Sequence, residues 1–394
     1  MKRRFSPTLC LRKAALILLV CALICSLSGC WDYRDLDTLS IVIGFSIDRS
    51  ETDPSKYSMG FEIVDLDLVS SESDVESLLI SSEGRTITEC VNNMAQKLQN
   101  PMYFGNTEVG VIGHDVAQEV SLDVLLDSML RDYELRDNLI LVISAEDGKS
   151  LLNNPEEKPR LNSFKISSSL VDWKSNSSSA NGTHVEELDQ VYDCLSEGAD
   201  LVLPELIMSD KKTGEFMLEG LAVFRDGVMQ GIIEQEHVPF YLITAEGLAE
   251  GSYNIFFTDE GDEDNKYVVL SNRQSRPKIS FDYSGGVFTF YVDVEAFMSV
   301  SEFSPTLDAS VNSDDTKELE KLCEEILAGE SEKTLYEIRD EMKADLLDFA
   351  AAVNDKAPAL WSQVKDSWDD YYASCEIKVR INLHLVDTGL MQNY

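Results

Sequence analysis

The sequence predicts an α+β fold: two or more mixed domains, with antiparallel or mixed sheets and helices packed on one face. Three observations carry that expectation. Ile279, Phe281 and Tyr283, then Phe288, Phe290, Val292, Val294 and Ala296, alternate with polar residues at the period of two that a half-buried strand requires. Apolar residues recur at helical spacing from Ile87 to Leu98 and again from Leu319 to Val353. In the second half strands come first, then helices, then a returning strand, an order that places helices against a sheet. With 394 residues, 44% of them apolar, the chain is globular and long enough for two or three cores.

All five charged residues before Cys30 are basic (Lys2, Arg3, Arg4, Arg12, Lys13), and Ala14 to Cys25 is an unbroken apolar run. As a helix that run rises about 18 Å, well short of a hydrocarbon core of about 30 Å, so residues 1–29 read as a signal peptide and not as a membrane span. Leu27-Ser28-Gly29-Cys30 matches the bacterial lipobox. Leu27, Ser28 and Gly29 are the signal-peptidase recognition residues. The Cys30 sulfur is the lipidation site, taking a diacylglycerol and becoming the mature N-terminus. Two acyl chains hold a protein to a bilayer stably.

Loss of residues 1–29 leaves 28 bases against 71 acids. That excess excludes a nucleic-acid partner, since phosphate binding draws its affinity from Lys and Arg. It also repels anionic headgroups, so the body is expected to stand off the surface on its tether or dock on a protein.

The mature chain divides into an N-terminal α+β domain, 30–205, with a polar loop at about 172–188, and a C-terminal α+β domain, 206–394. In the first, Leu39–Ile47 and Tyr57–Leu68 flank a turn and predict a hairpin. A helix over Thr86–Leu98, a strand over Glu108–Ile112, a helix over Ser121–Arg131 and an apolar strand over Leu139–Ser144 follow. In the second, Arg225-Asp226-Gly227 predicts a tight hairpin turn. Leu319 to Leu327 predicts one helix ended by Ala328-Gly329, Leu335 to Val353 a second, and Trp361 and Trp368 one face of a third. Ile377, Val379, Ile381, Leu383 and Leu385 alternate with polar residues as a last strand of the same sheet.

No catalytic motif is present: no phosphate-binding loop, nucleophile elbow, zinc-binding His pair or dinucleotide fingerprint. The histidines His114, His184, His237 and His384 are scattered singly. Cys90, Cys194, Cys323 and Cys375 have no metal-ligand spacing; they read as small buried hydrophobes, with one or two disulfides open to them. The acidic run Asp259 to Asn265 lacks the ligand order of a calcium loop and reads as a solvated hairpin loop. Trp361 and Trp368 read as core anchors. No cofactor is implied, and the protein is expected not to be an enzyme.

The order of features resembles the Ger(x)C family, the lipoprotein C subunit of nutrient germinant receptors in spore-forming bacteria. The resemblance rests on Cys30-Trp31-Asp32-Tyr33-Arg34-Asp35-Leu36 after the lipobox, Arg85-Thr86-Ile87-Thr88-Glu89, Phe104-Gly105-Asn106 and Arg131-Asp132. It continues in Glu219-Gly220-Leu221-Ala222-Val223-Phe224 and Pro358-Ala359-Leu360-Trp361, followed by Trp368. Asn106 stands where members often carry histidine. The resemblance implies a non-enzymatic subunit, lipid-anchored through palmitate or similar chains on the extracytoplasmic face of the spore inner membrane. Its implied partners are membrane-embedded A-type and B-type receptor subunits, to which it docks while relaying the nutrient signal for germination. The competing expectation is an extracytoplasmic solute-binding lipoprotein of a transporter, which the long antiparallel alternations at 278–296 and 376–385 disfavour.

Overall fold

A computed structural model describes Leu16 and residues 38–64, 77–132, 135–153, 161–175, 183–210, 213–245, 251–257, 266–304 and 313–387. Cys30 with its lipobox, and the acidic run 259–265, lie outside the described residues.

The first sheet is built from β1 (Ser40–Arg49), β2 (Tyr57–Val64), β3 (Ser77–Gly84), the two-residue β4 (Met102–Tyr103), β5 (Val109–Gly113), β6 (Ile140–Ser144), β7 (Leu201–Asp210), β8 (Glu215–Arg225) and β9 (Val228–Glu234). Its order is β3-β2-β1-β5-β6-β7-β8-β9, with β4 beside β1. The centre, β1 to β7, is parallel, and both flanks are antiparallel hairpins. The expected hairpin over 39–68 is β1–β2. Its partner β3 went unread in the sequence, because only Gly84 and Ser82 of its eight residues are buried and it carries no clean alternation.

Helices lie on both faces of this sheet, not one. Against one face pack α1 (Ile87–Ala95), α2 (His114–Glu119), α3 (Leu122–Asp132) and α6 (Leu188–Glu197); against the other, α4 (Gly148–Leu152) and α5 (Asn162–Ser175). The apolar run of β6 follows from this: Leu141 and Ile143 face the first core, Ile140 and Val142 the second. Helix α5 runs through Trp173 and Lys174, so the polar segment expected from 172 begins as helix. Thr86 starts α1, its hydroxyl accepting from Glu89 N at 3.1 Å while the Glu89 carboxylate accepts from Arg85 N at 2.8 Å.

The cut expected between 205 and 206 falls inside β7, and β8 and β9, assigned by sequence to the second half, extend the first sheet. Hydrogen-bond pairing decides this: β8 lies antiparallel along β7 from Leu201 to Asp210. Asp226 (φ 51°) and Gly227 (φ 73°) form the expected β8–β9 turn. Strand β8 also joins the cores. Ala222 and Phe224 enter the core under α3, while Leu221 and Val223 enter the core of the second sheet.

The second sheet runs β10 (Gly251–Phe257), β11 (Lys266–Ser284), β12 (Val287–Phe303), β13 (Glu376–Asp387). Before it comes the short α7 (Val238–Leu242); between β12 and β13 come α8 (Ser313–Glu337), α9 (Phe349–Lys356), α10 (Pro358–Val364) and α11 (Trp368–Ala373). Strand β13 pairs parallel with β12 and not as an antiparallel neighbour. Alternation reveals burial but not direction, and a strand returning through a helical crossover arrives parallel. Gly329 does not end α8, which continues through it to Glu337 and a π-type turn, Ile338–Met342, stopping at Lys343 with φ 58°. A Cβ at Gly329 would meet nothing within 4 Å, so the glycine sits in open space and costs about 1 kcal/mol of helix propensity without breaking the ladder. Trp361 and Trp368 pack edge to face at 5.2 Å against the second core, the anchor role expected of them.

Helix α8 runs along the outer edge of β13. The N–H groups of Leu385, Leu383 and Val379 donate to Glu320 (2.9 Å), Glu324 (2.8 Å) and Glu332 (3.2 Å), and that of Ile377 to the Tyr336 hydroxyl (3.0 Å). Every second strand residue meets every fourth helix residue. The one position of this row without an acceptor is Ala328, opposite Ile381. Glu324→Ala is expected to lower stability by about 1–2 kcal/mol, as a buried N–H loses its acceptor, and Ala328→Gln to raise it by up to about 1 kcal/mol. Urea midpoints check both; a neutral Glu324→Ala removes the edge-capping account.

Candidate functional site

Three buried carboxylates stand on strands of the first sheet: Asp48 on β1, Glu62 on β2 and Glu205 on β7, at 7%, 1% and 0% exposure. Glu62 accepts the backbone N–H of Asn162 and Ser163, both at 2.9 Å, and the hydroxyls of Ser163 and Ser77, thereby capping α5 across the sheet. Burial still raises its pKa above the ordinary carboxylate range. Asp48 does the same for α4. Its two oxygens accept from Gly148 N at 2.7 Å and Lys149 N at 3.2 Å, and Ser46 Oγ donates at 3.0 Å. A Cβ on Gly113 would come within 2.4 Å of the Asp48 carboxylate, so the close approach of β5 to β1 requires glycine there. Burial, then the neighbouring Asp147 charge, raises the Asp48 pKa to about 7.

Asp48, Arg49, His114 and Asp147 line a cleft of about 340 Å³ at the carboxyl ends of the parallel strands β1, β5 and β6, the edge where open α/β sheets commonly bind ligands. His114, on that lining, places its Nδ1 2.8 Å from Oε1 of the buried Glu205. In this cleft Asp48 is committed to backbone donors, and the described lining contains no cysteine.

Cys90, Cys323 and Cys375 are buried, Cys194 is half-buried, and all four are free thiols, so neither disulfide left open by the sequence forms among them. Burial pushes the thiols of Cys90 and Cys323 up to about 12 and those of Cys194 and Cys375 to about 11, which suppresses thiolate chemistry. The histidines, single in sequence, each lie beside a glutamate: His114 by Glu205, His184 by Glu186, His237 by Glu337 and His384 by Glu295. His184 with Glu186, and His237 with its second neighbour Glu236 at 3.8 Å, are close enough in sequence for the pairing to be readable; the other two are not. Among the described residues no group of three or more His, Cys, Asp or Glu is placed to hold a metal, and no helix is long and apolar enough to cross a membrane.

A groove of about 700 Å³ lies between β10 on one side and α7 and α8 on the other. Glu236, His237, Phe240, Tyr253, Phe256 and Glu330 give it an acidic and aromatic lining that nothing in the sequence marked, since β10 itself went unread.

The motifs fall at joints of the fold. Phe104 packs edge to face on Phe61 at 6.3 Å, and Gly105 and Asn106 turn the chain from β4 towards β5. Glu219 to Phe224 lies on β8, where Gly220 allows Ile233 O to within 2.2 Å of the place a Cβ would occupy. Pro358 opens α10.

Residues 32–208 match the family profile described as spore germination protein N-terminal domain, and residues 219–389 that described as spore germination B3/GerAC like, C-terminal. The chain is 25% identical to spore germination protein KC of Bacillus subtilis (strain 168), over 97% of each chain. It is 24% identical to spore germination protein A3 of the same organism, over 95% of this chain and 98% of that one. The crystal structure of the GerBC protein aligns with a TM-score of 0.55 and 16% identity, over 89% of this chain and all of that one, a likeness of fold.

The raised pKa of Asp48 makes stability depend on pH. Between 3.8, its ordinary value, and about 7 the folded state holds a proton that the unfolded state has released, so its contribution is fully present in acid and is lost as pH rises through that window. The stability difference between wild type and Asp48→Asn, followed by urea unfolding, is expected to shift against wild type from pH 4 to pH 7; a constant difference excludes a protonated Asp48.

Proposed function

The chain belongs to the Ger(x)C family of spore germination proteins, and from that premise we propose that it is the lipid-anchored, non-enzymatic subunit of a spore germinant receptor. In this reading Cys30 carries the diacylglycerol. The body lies on the extracytoplasmic face of the spore inner membrane, docks on the A-type and B-type membrane-embedded subunits, and relays the nutrient signal to them.

The observation that carries the reading is the span of the two profile matches, 32–208 and 219–389, which together take in nearly all of the chain after the lipobox. The charge supports docking on protein: 71 acids against 33 bases repel an anionic bilayer surface and attract cationic loops. The described interior supports a binding role, since Asp48 and Glu62 are held by backbone donors, Glu205 by His114, and the thiols are kept protonated.

Spores carrying Cys30→Ala test the anchor. The wild-type protein is expected to sediment with membranes and the variant to appear in the soluble fraction, with nutrient germination reduced. A variant that still sediments, in spores that germinate normally, overturns the proposal. Docking is tested separately by co-purification from detergent extracts: elution alone, with the membrane subunits present, refutes it.

A further inference from the structure

The fold treats its sheet edges unequally. Four side chains of α8 accept from the edge of β13, and on the far edge of the first sheet α1 and the turn that follows it do the reverse. Asn93 Nδ2 donates to Glu83 O at 2.8 Å and Lys97 Nζ to Ser81 O at 2.9 Å on β3. At the opposite end of the second sheet, β10 pairs with β11 alone, and no other described strand lies against its outer edge.

That edge opens on the groove of about 700 Å³, where Ser252 to Phe256 form one wall and Phe240 and Ile326 stand opposite. Tyr253 and Ile255 point into the core, while Asn254 is exposed and Phe256 is 66% exposed. The charge is one-sided. Glu236 and Glu330 line the groove, no described lining residue is Lys or Arg, and Lys333, 3.9 Å from Glu330, stands outside the lining. His237 is held between Glu236 at 3.8 Å and Glu337 at 3.4 Å, adding a third carboxylate beside the groove.

We propose that the β10 edge is a strand-addition site for an extended, cationic polypeptide segment of a partner protein. Five residues of strand present about 16 Å of edge. Main-chain hydrogen bonds to an added strand supply affinity, and alternate side chains of that strand supply specificity. Here one set of alternate side chains meets Phe240 and Phe256, and Lys or Arg in the segment meets Glu236 and Glu330. The inference deepens the docking reading above by naming its contact surface.

The test uses the full chain in detergent with three octapeptide probes: alternating Lys-Val, alternating Glu-Val, and Lys-Val methylated on every backbone nitrogen. The last matches the charge of the first but has no amide donor on either side. Lys-Val is expected to slow amide hydrogen exchange across 252–256, with Glu-Val binding at least about tenfold more weakly and the methylated probe giving no protection there. The double variant Glu236→Lys/Glu330→Lys is expected to invert the preference for Lys-Val over Glu-Val, its fold checked by unchanged exchange in β11 and β12. Protection that falls elsewhere, is equal for the methylated probe, or is unaltered by the double variant overturns the proposal. If the double variant co-purifies with membrane subunits as wild type does, the β10 contact is wrong and docking stands; if wild type elutes alone, docking fails and the peptide result still decides the edge.

Discussion

An open sheet ends in strands whose outward N–H and C=O groups need partners, and this fold meets that constraint by laying helices lengthwise along strand edges. The geometry allows it because two strand residues advance about 6.6 Å and four helix residues about 6.0 Å. A row of helix side chains spaced by four therefore stays in step with strand residues spaced by two. Glu320, Glu324, Glu332 and Tyr336 keep step with Leu385, Leu383, Val379 and Ile377 on β13. Asn93 and Lys97 keep step with Glu83 and Ser81 on β3. The chemistry inverts between the two because one helix satisfies donors and the other acceptors. Such cover also blocks edge-to-edge association, the usual hazard of an exposed strand.

The same logic governs the helix ends. The first-turn N–H groups of a buried helix need acceptors, and where local residues do not supply them a carboxylate reaches across the fold: Asp48 from β1 to α4 and Glu62 from β2 to α5. At α9 the acceptor is Asp345, which takes Phe349 N and Ala350 N, both at 2.9 Å, while its own N–H donates to Asp200 at 2.7 Å. Burial raises Asp345 to about 7, as it does Asp48. The Asp48 and Glu62 caps tie segments about a hundred residues apart, and the Asp200–Asp345 bond, spanning 145 residues, ties the segment after α6 to the helices of the second sheet. Together with β8, which feeds both cores, they make the two sheets one packed body although the sequence reads as two halves.

Elements with a clean period were legible: β1, β2, α1, α3, β6, the β8–β9 turn and β13 all stand where the spacing put them. What was not legible has physical causes. Strand β3 lacks a strict alternation because it is largely half-buried, and in β10 the apolar alternation of Tyr253 and Ile255 is masked by the exposed Phe256. The direction of β13 and the membership of β8 and β9 in the first sheet are questions of pairing, and pairing is fixed by connections and not by which residues are apolar. Gly329 read as a helix end because glycine so often is one; the stop lies at Lys343, in a left-handed conformation that its residue type does not advertise. At the candidate sites, the carboxylates that cap helices look like surface charge in a sequence, and their glycine partners, Gly113 and Gly148, like ordinary turn residues.

The acidity of the chain therefore has two sources that composition cannot separate. One part is internal: Asp48, Glu62 and Glu205 are buried acceptors, the half-buried Asp345 accepts at α9, and Glu320, Glu324 and Glu332 of α8 are committed to β13. Acceptors outnumber cations in this interior because strand edges and helix starts present N–H groups. The rest is a true field, and it acts where the carboxylates remain uncommitted to backbone. Glu236 and Glu330 have that freedom, being 77% and 43% exposed and paired only loosely with His237 and Lys333. A negative potential focused beside a strand edge that no described strand pairs differs in kind from diffuse surface charge, because it selects sign and the edge selects conformation. An acidic composition alone argues for a cationic partner in general; the placement of two glutamates at β10 argues for one that arrives extended.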